Sequence, residues 1–162
     1  KKVGDSFFVP GKFLLPKGEV VGRHQGVHYF TVGQRKGLPA DALQAAQKLG
    51  YGGEVYVKAI HLENGMVELG HDQSLFQDTL IAHEFHWMAG GDFTHGKKVL
   101  AKIRSRHEGS LAKVTIFSGN RVQLIFDKPQ RAITPGQAVV LYENGMVVGG
   151  GWIEKVQDSR VQ

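Results

Sequence analysis

Ala138-Val139-Val140-Leu141-Tyr142-Glu143-Asn144-Gly145-Met146-Val147 is the stretch that decides the fold. Its first five residues form the longest uninterrupted apolar run in the chain. Asn-Gly then stands where a two-residue type I′ hairpin turn needs two residues at positive φ. The β-branched and aromatic residues before it favour an extended strand. Glu63-Asn64-Gly65-Met66-Val67 repeats the signal after Tyr56-Val57-Lys58-Ala59-Ile60, and a second tight hairpin is expected there. The surroundings of the two pentapeptides differ, so they reflect shared turn chemistry and not a repeat.

Outward from these hairpins, period-two alternation dominates and predicts a mainly β protein of short antiparallel strands. Six strand-like runs follow residue 80, at about 80–87, 98–106, 111–117, 121–126, 137–142 and 146–156. Six short strands in so little chain predict a small closed barrel. A boundary is expected near Gln77-Asp78, giving a central β-rich module over 18–78 and a C-terminal six-stranded antiparallel barrel over 79–162. The central module carries a predicted strand over 27–32 and one short helix, Asp41-Ala-Leu-Gln-Ala-Ala-Gln-Lys-Leu-Gly50, with Pro39 before it and Gly50 in the stop position.

Composition narrows the function classes. The 162 residues contain no Cys, which excludes a disulfide framework, a thiolate zinc site and a cysteine nucleophile within this chain. Twenty Lys+Arg against 15 Asp+Glu leave a formal charge of +5 with a pI near 9.5, which makes a polyanion partner plausible beside an inert basic surface. No apolar run approaches the roughly 20 residues of a membrane-spanning helix. There is no leader pattern, and Lys1 replaces an initiator Met, so a fragment of a longer cytoplasmic chain is expected. Gly accounts for 22 residues, about twice the usual share, and turns are the expected use.

Lys97-Lys98-Val99-Leu100-Ala101-Lys102-Ile103-Arg104-Ser105-Arg106 is the most informative basic run. Read as one strand, it places Lys102, Arg104 and Arg106 on one face, about 6.6 Å apart in succession. Such a row follows a phosphate backbone, or else it is a solvated strand face. Gly33-Gln34-Arg35-Lys36-Gly37 reads as a charged hairpin tip after the strand Tyr29-Phe30-Thr31-Val32. Gln34 and Arg35 can hydrogen-bond base edges or phosphates there, and an ordinary exposed turn is the alternative. Thr134-Pro135-Gly136-Gln137 fits a type II turn, beside which the Gln137 amide can contact a ligand. Gly149-Gly150-Gly151 leads into Trp152 and not into a helix, so close backbone approach or a bulge explains it better than a phosphate cradle.

Eight His raise the question of metal. His24/His28 and His83/His86 are the closest pairs, and on a regular strand His83 and His86 point to opposite faces. No HExxH motif, Walker loop or GxSxG elbow is present. His71-Asp72 reads as turn chemistry in the absence of a nucleophile.

Several strings taken in order carry a family resemblance: Gly22-Arg-His24-Gln-Gly26, Tyr29-Phe-Thr-Val-Gly-Gln-Arg-Lys-Gly-Leu38, Lys102-Ile-Arg104, Pro129-Gln-Arg-Ala-Ile-Thr-Pro-Gly-Gln-Ala-Val-Val-Leu-Tyr142 and Gly149-Gly-Gly-Trp-Ile153. Over about 18–154 they resemble the central and C-terminal domains of the bacterial tRNA-specific 2-thiouridylases, which make 2-thiouridine at the wobble position. Residues 1–17 stand apart as a divergent N-terminal segment. The resemblance implies a barrel similar to the second domain of elongation factor Tu, tRNA as partner, a sulfur donor protein, and neither membrane nor DNA. It also implies a PP-loop ATPase domain using ATP with Mg, whose SGGVDS loop has no counterpart here, so no cofactor and no catalytic activity are expected of this segment alone. By the same resemblance Arg104, Ser105 and Gln137 contact tRNA, with Lys102 and Arg106 beside them, while Gln34, Arg35 and Lys36 touch RNA or fix the module against the catalytic domain. Two positions depart from the pattern: Phe7 stands where the family carries its second cysteine, and Ser105 where it usually has Tyr. They motivate an alternative, a degenerate paralogue whose barrel binds protein or RNA in general. A third option, a stand-alone hydrolase using the His residues, lacks any identifiable nucleophile.

Overall fold

The computed structural model describes residues 10–88, 96–117 and 119–157. Phe7 lies outside them. Two compact units succeed one another along the chain, Lys1–Leu75 and Phe76–Gln162.

The first unit is a four-stranded sheet in the order β2-β1-β4-β3, built from β1 (Gly11–Leu14), β2 (Val20–His24), β3 (Tyr56–His61) and β4 (Met66–Gly70). β1 runs parallel to β4, and the other pairings are antiparallel. Helix α1 (Ala40–Lys48) covers the sheet with Ala42 and Ala46, four residues apart on one helical face and both fully buried. Pro39 precedes its first turn. At its end Gly50 N–H donates to the Gln47 carbonyl and Tyr51 N–H to that of Ala46, a Schellman closure that needs Gly50 at φ 80°. A Cβ on Gly22 would stand 2.9 Å from that of Ala42, so glycine is what lets the helix approach β2.

Two expectations for this unit are corrected. Residues 27–32 are not a strand: Val27–Tyr29 form a 3₁₀ turn, followed by further turns. Gln34-Arg35-Lys36 therefore sits in a turn-rich loop and not on a hairpin tip. The loop is held by paired backbone bonds with Val57, Gly33 N–H to its carbonyl and Val57 N–H to that of Gln34, each at 2.8 Å. The hairpin at Glu63-Asn64-Gly65 is also looser than a two-residue turn, because the ladder resumes at His61↔Met66 and leaves a four-residue loop. Asn64 Oδ1 accepts from Met66 N–H, and of the pair only Gly65 takes positive φ.

The second unit is a closed barrel in the order β10-β5-β8-β7-β6-β9, made of β5 (Phe76–Trp87), β6 (Lys98–Lys102), β7 (Ser110–Phe117), β8 (Arg121–Arg131), β9 (Ala138–Glu143) and β10 (Met146–Gln157). All six pairings are antiparallel. Alternate residues of every strand fill the interior, among them Leu80, Ala101, Val114, Leu124, Leu141 and Ile153. The decisive stretch behaves as expected: Glu143↔Met146 closes a two-residue turn with Asn144 at φ 49° and Gly145 at φ 79°. β8 runs past residue 126 to Arg131, and its ladder with β5 is interrupted between Gln77 and Thr79, a bulge that accommodates Pro129. Gly149 and Gly151 are places of close approach, where a Cβ would lie 2.7 and 2.9 Å from the Phe85 ring.

Two further corrections concern the barrel. β6 stops at Lys102, not at 106, because apolar alternation ends with the buried Ile103 and a polar stretch follows. His107 N–H then donates to the Arg104 carbonyl, and Ile103 N–H to His107 Nδ1 at 3.4 Å, which closes a turn. His83 and His86 both face outward: Glu84 adopts φ 48° and inserts one residue between the buried Ala82 and Phe85, so the alternation inverts.

Candidate nucleic-acid interface

β6, β9 and β10 are neighbours in the barrel wall, with Lys102 opposite Val140 and, further on, Val140 opposite Gly150 and Ala138 opposite Trp152. Val139, Leu141 and Ile153 point into the core. Alternation therefore turns Ala138, Val140, Tyr142 and Trp152 outward on one face. These small floor residues and the taller side chains around them enclose a cleft of about 510 Å³, walled by Lys102, Arg104, Ser105, Gln137, Tyr142 and Trp152.

The Thr134-Pro135-Gly136-Gln137 turn forms one rim. Gly136 takes φ 84°, and Gln137 N–H donates to the Thr134 carbonyl, as a type II turn requires. Its backbone is tied to β10 on both sides: Gly136 N–H donates to the Ile153 carbonyl, and Ile153 N–H donates to that of Gln137, each at 2.8 Å. Those bonds place Gln137 beside Trp152, and the Gln137 amide keeps its own hydrogen-bonding capacity among the described residues. Arg104 and Ser105 sit on the opposite rim, in the turn after β6. Arg104 Nη1 makes one long contact, 3.4 Å, to the Arg131 carbonyl, which leaves most of the guanidinium fork open. Lys102 Nζ stands 5.1 Å from the Tyr142 ring centroid, a cation–π contact that fixes the ammonium without neutralising it.

The basic run is thus split in two. Lys97 is paired with Glu143 at 2.9 Å and Lys98 with Asp127 at 2.8 Å, whereas Lys102 and Arg104 face the cleft without a carboxylate partner among the described residues. Arg106 is exposed but does not line the cleft, because the turn at residue 104 ends the strand that would have aligned it. Under this rim lies His107, whose pKa is lowered by burial first and by the Arg104 charge second. It stays neutral at physiological pH, which lets Nδ1 accept from the backbone and hold the turn.

The residues expected at a second site behave differently. Gln34 Oε1 accepts from Thr31 N–H and Gln34 Nε2 donates to the Lys36 carbonyl, both at 2.9 Å. Arg35 is paired with Glu54, whose other oxygen accepts from Tyr56. Lys36 is exposed. Tyr142, Trp152 and His107 escaped the sequence reading. The signal for the first two was present in the alternation of 137–142 and 146–156, since residues two apart from buried Leu141 and Ile153 share their face and those one apart do not. No group of three or more His, Asp or Glu suited to a metal ion occurs among the described residues. Nor does the Gly149–151 run form a phosphate cradle of the kind ATP uses: it continues within β10 instead of opening onto a helix N-terminus.

Two successive β modules are also what comparison with known proteins returns. Residues 4–71 match the tRNA methyl transferase PRC-barrel domain model, and residues 77–153 match the aminomethyltransferase beta-barrel domain model. The chain is 43% identical over 147 residues to a tRNA-specific 2-thiouridylase of Lachnoclostridium phytofermentans, covering 91% of this chain and 39% of that protein. Its identity to the tRNA-specific 2-thiouridylase of Koribacter versatilis is 42%, covering 88% and 36%. To that of Halothermothrix orenii it is 38%, covering 90% and 38%. The chain belongs to the tRNA-specific 2-thiouridylase family, and it spans less than two fifths of the length of these relatives.

Proposed function

We propose that this chain is the tRNA-holding part of an ATP-dependent 2-thiouridylase acting on the wobble uridine, and that the barrel cleft is its RNA contact. The observation that carries this reading is the convergence of Lys102, Arg104, Ser105 and Gln137 on one cleft, with both cations lacking a carboxylate partner among the described residues. Arg and Lys hold phosphates by charge, and a free amide beside them reads a base or ribose edge. In this reading the chain performs no chemistry itself. ATP with Mg²⁺ and sulfur from a donor protein are handled by a PP-loop module of the kind the resemblance implies, in the cytoplasm where tRNA is found. The units on either side of residues 75–79 act as a central module and an RNA-binding barrel. No helix among the described residues is long and apolar enough to cross a membrane.

A second reading, a paralogue whose barrel binds protein, rests on Ser105 in place of an aromatic residue. Tyr142 and Trp152 weigh against it, because they supply aromatic surface to the same cleft. Titrating the chain with bulk tRNA at two salt concentrations, with duplex DNA as control, separates the two. The RNA reading expects tRNA affinity that falls with salt and exceeds that for DNA. Absence of tRNA binding at the lower salt concentration overturns it.

A further inference from the structure

We propose that the cleft is built for one unpaired nucleotide, whose base stacks on the Trp152 indole while its phosphate lies against Arg104 and Lys102; this rests on the RNA-binding reading above. Trp152 is 48% exposed in the middle of a barrel strand, a position where a large apolar ring has no packing duty. Its cross-strand neighbours are His83 on the β5 side and, on the cleft side, only Ala138, while Gly136 of the adjoining turn carries no side chain. The indole face is therefore open on the cleft side. The backbone bonds between Gly136, Gln137 and Ile153 hold ring and amide in fixed register.

The charge lies at the right reach. Lys102 on β6 is two strands away from β10, about 10 Å across the wall, which is the scale of the step from a nucleotide's phosphate to the far edge of its base. Gln137 stands on the base side, where its amide can accept from or donate to a base edge. A duplex cannot use this arrangement, because its base faces are covered by their neighbours. The ligand class is thus an unstacked nucleotide of a loop, bulge or single strand.

The test compares a single-stranded oligoribonucleotide with a blunt RNA duplex of the same length, titrated into this chain at fixed salt and followed by fluorescence. Trp152 is one of only two tryptophans, and Trp87 is partly buried against the core. Tighter binding of the single strand, with quenching that disappears in Trp152→Leu, is expected. Trp152→Leu should lower single-strand affinity about 5- to 150-fold, the range of base–aromatic stacking, with the salt slope unchanged. Trp152→Phe should restore most of it, which a loss of folding would not allow. If Trp152→Leu binds like the parent while Arg104→Ala binds more weakly, the stacking proposal fails and the RNA reading stands. If neither variant changes binding, both fail. Equal affinity for strand and duplex also overturns the proposal.

Discussion

Gln34 with Arg35 in the first unit and Gln137 with Arg104 in the barrel present the same side-chain types, and the fold treats them in opposite ways. Gln34 spends both ends of its amide closing its own loop, and Arg35 is neutralised by Glu54. Gln137 is held by its backbone alone, and Arg104 gives up one weak contact to a carbonyl. A polar residue is available to a ligand when its neighbours do not need it. Residue type proposes a contact, and internal hydrogen-bond accounting decides whether the group is free to make it.

The sharpest way to break this contrast is Arg104→Ala. Loss of a charged hydrogen bond to phosphate is expected to cost about 1.5–3 kcal/mol of tRNA binding. The slope of log affinity against log salt should fall by about 0.7–0.9, one phosphate's worth. An unchanged slope would remove Arg104 from the interface.

How much of this could be read in the chain follows from the kind of information each feature needs. Both elements of the barrel hairpin at 138–147 are local, alternation and Asn-Gly, and both came out as expected. The identical Asn-Gly at 64–65 gave a four-residue loop, since the Asn64 side chain captured Met66 N–H and competed with the tight turn. Lys98 to Arg106 alternates well enough to look like one strand, but nothing apolar follows Ile103, and His107 folds the chain back. The family resemblance supplied Arg104, Ser105 and Gln137 without geometry. The turn at 144–145 already sets β9 against β10 and so brings Trp152 near Gln137; what the chain could not show is that β6 pairs with β9 and carries Lys102 to the same face. The pairing of Lys97 with Glu143 is likewise a long-range fact.

The next effect lies in the first unit and concerns its stability in acid. His24 is 5% exposed, packed edge-on between Phe13 and Phe30 at 5.1 and 5.2 Å, with neither ring nitrogen in a well-formed hydrogen bond among the described residues. Burial lowers its pKa, and the nearby Gly65 and Gly26 carbonyls only partly oppose this. The unfolded chain therefore binds the proton more readily. Stability is complete above pH about 6.5 and is lost as pH falls below it, at up to about 1.4 kcal/mol per pH unit. Denaturant unfolding from pH 7.5 to 5 should show this decline for the first unit. His24→Phe should flatten it, leaving the effect of the same sign from His107 in the barrel. A parallel decline in parent and variant would exclude His24.

The smallest effect completes the contrast. Arg35→Ala removes an exposed ion pair and should cost less than about 1 kcal/mol of stability, with tRNA affinity and salt slope unchanged. A slope that drops as it does for Arg104→Ala would show that Arg35 leaves Glu54 for phosphate, and the distinction between the two sites would disappear.

Closure of the barrel has a last consequence. β6, β9 and β10 cannot spread to admit a bulkier guest unless the hydrogen-bonded ring is broken elsewhere, so the backbone spacing between Lys102 and Trp152 is set during folding. Under the proposed RNA reading, selection at this face is by fixed gauge: the backbone is arranged before any nucleotide arrives, and only side chains such as Arg104 and Gln137 are ordered on binding.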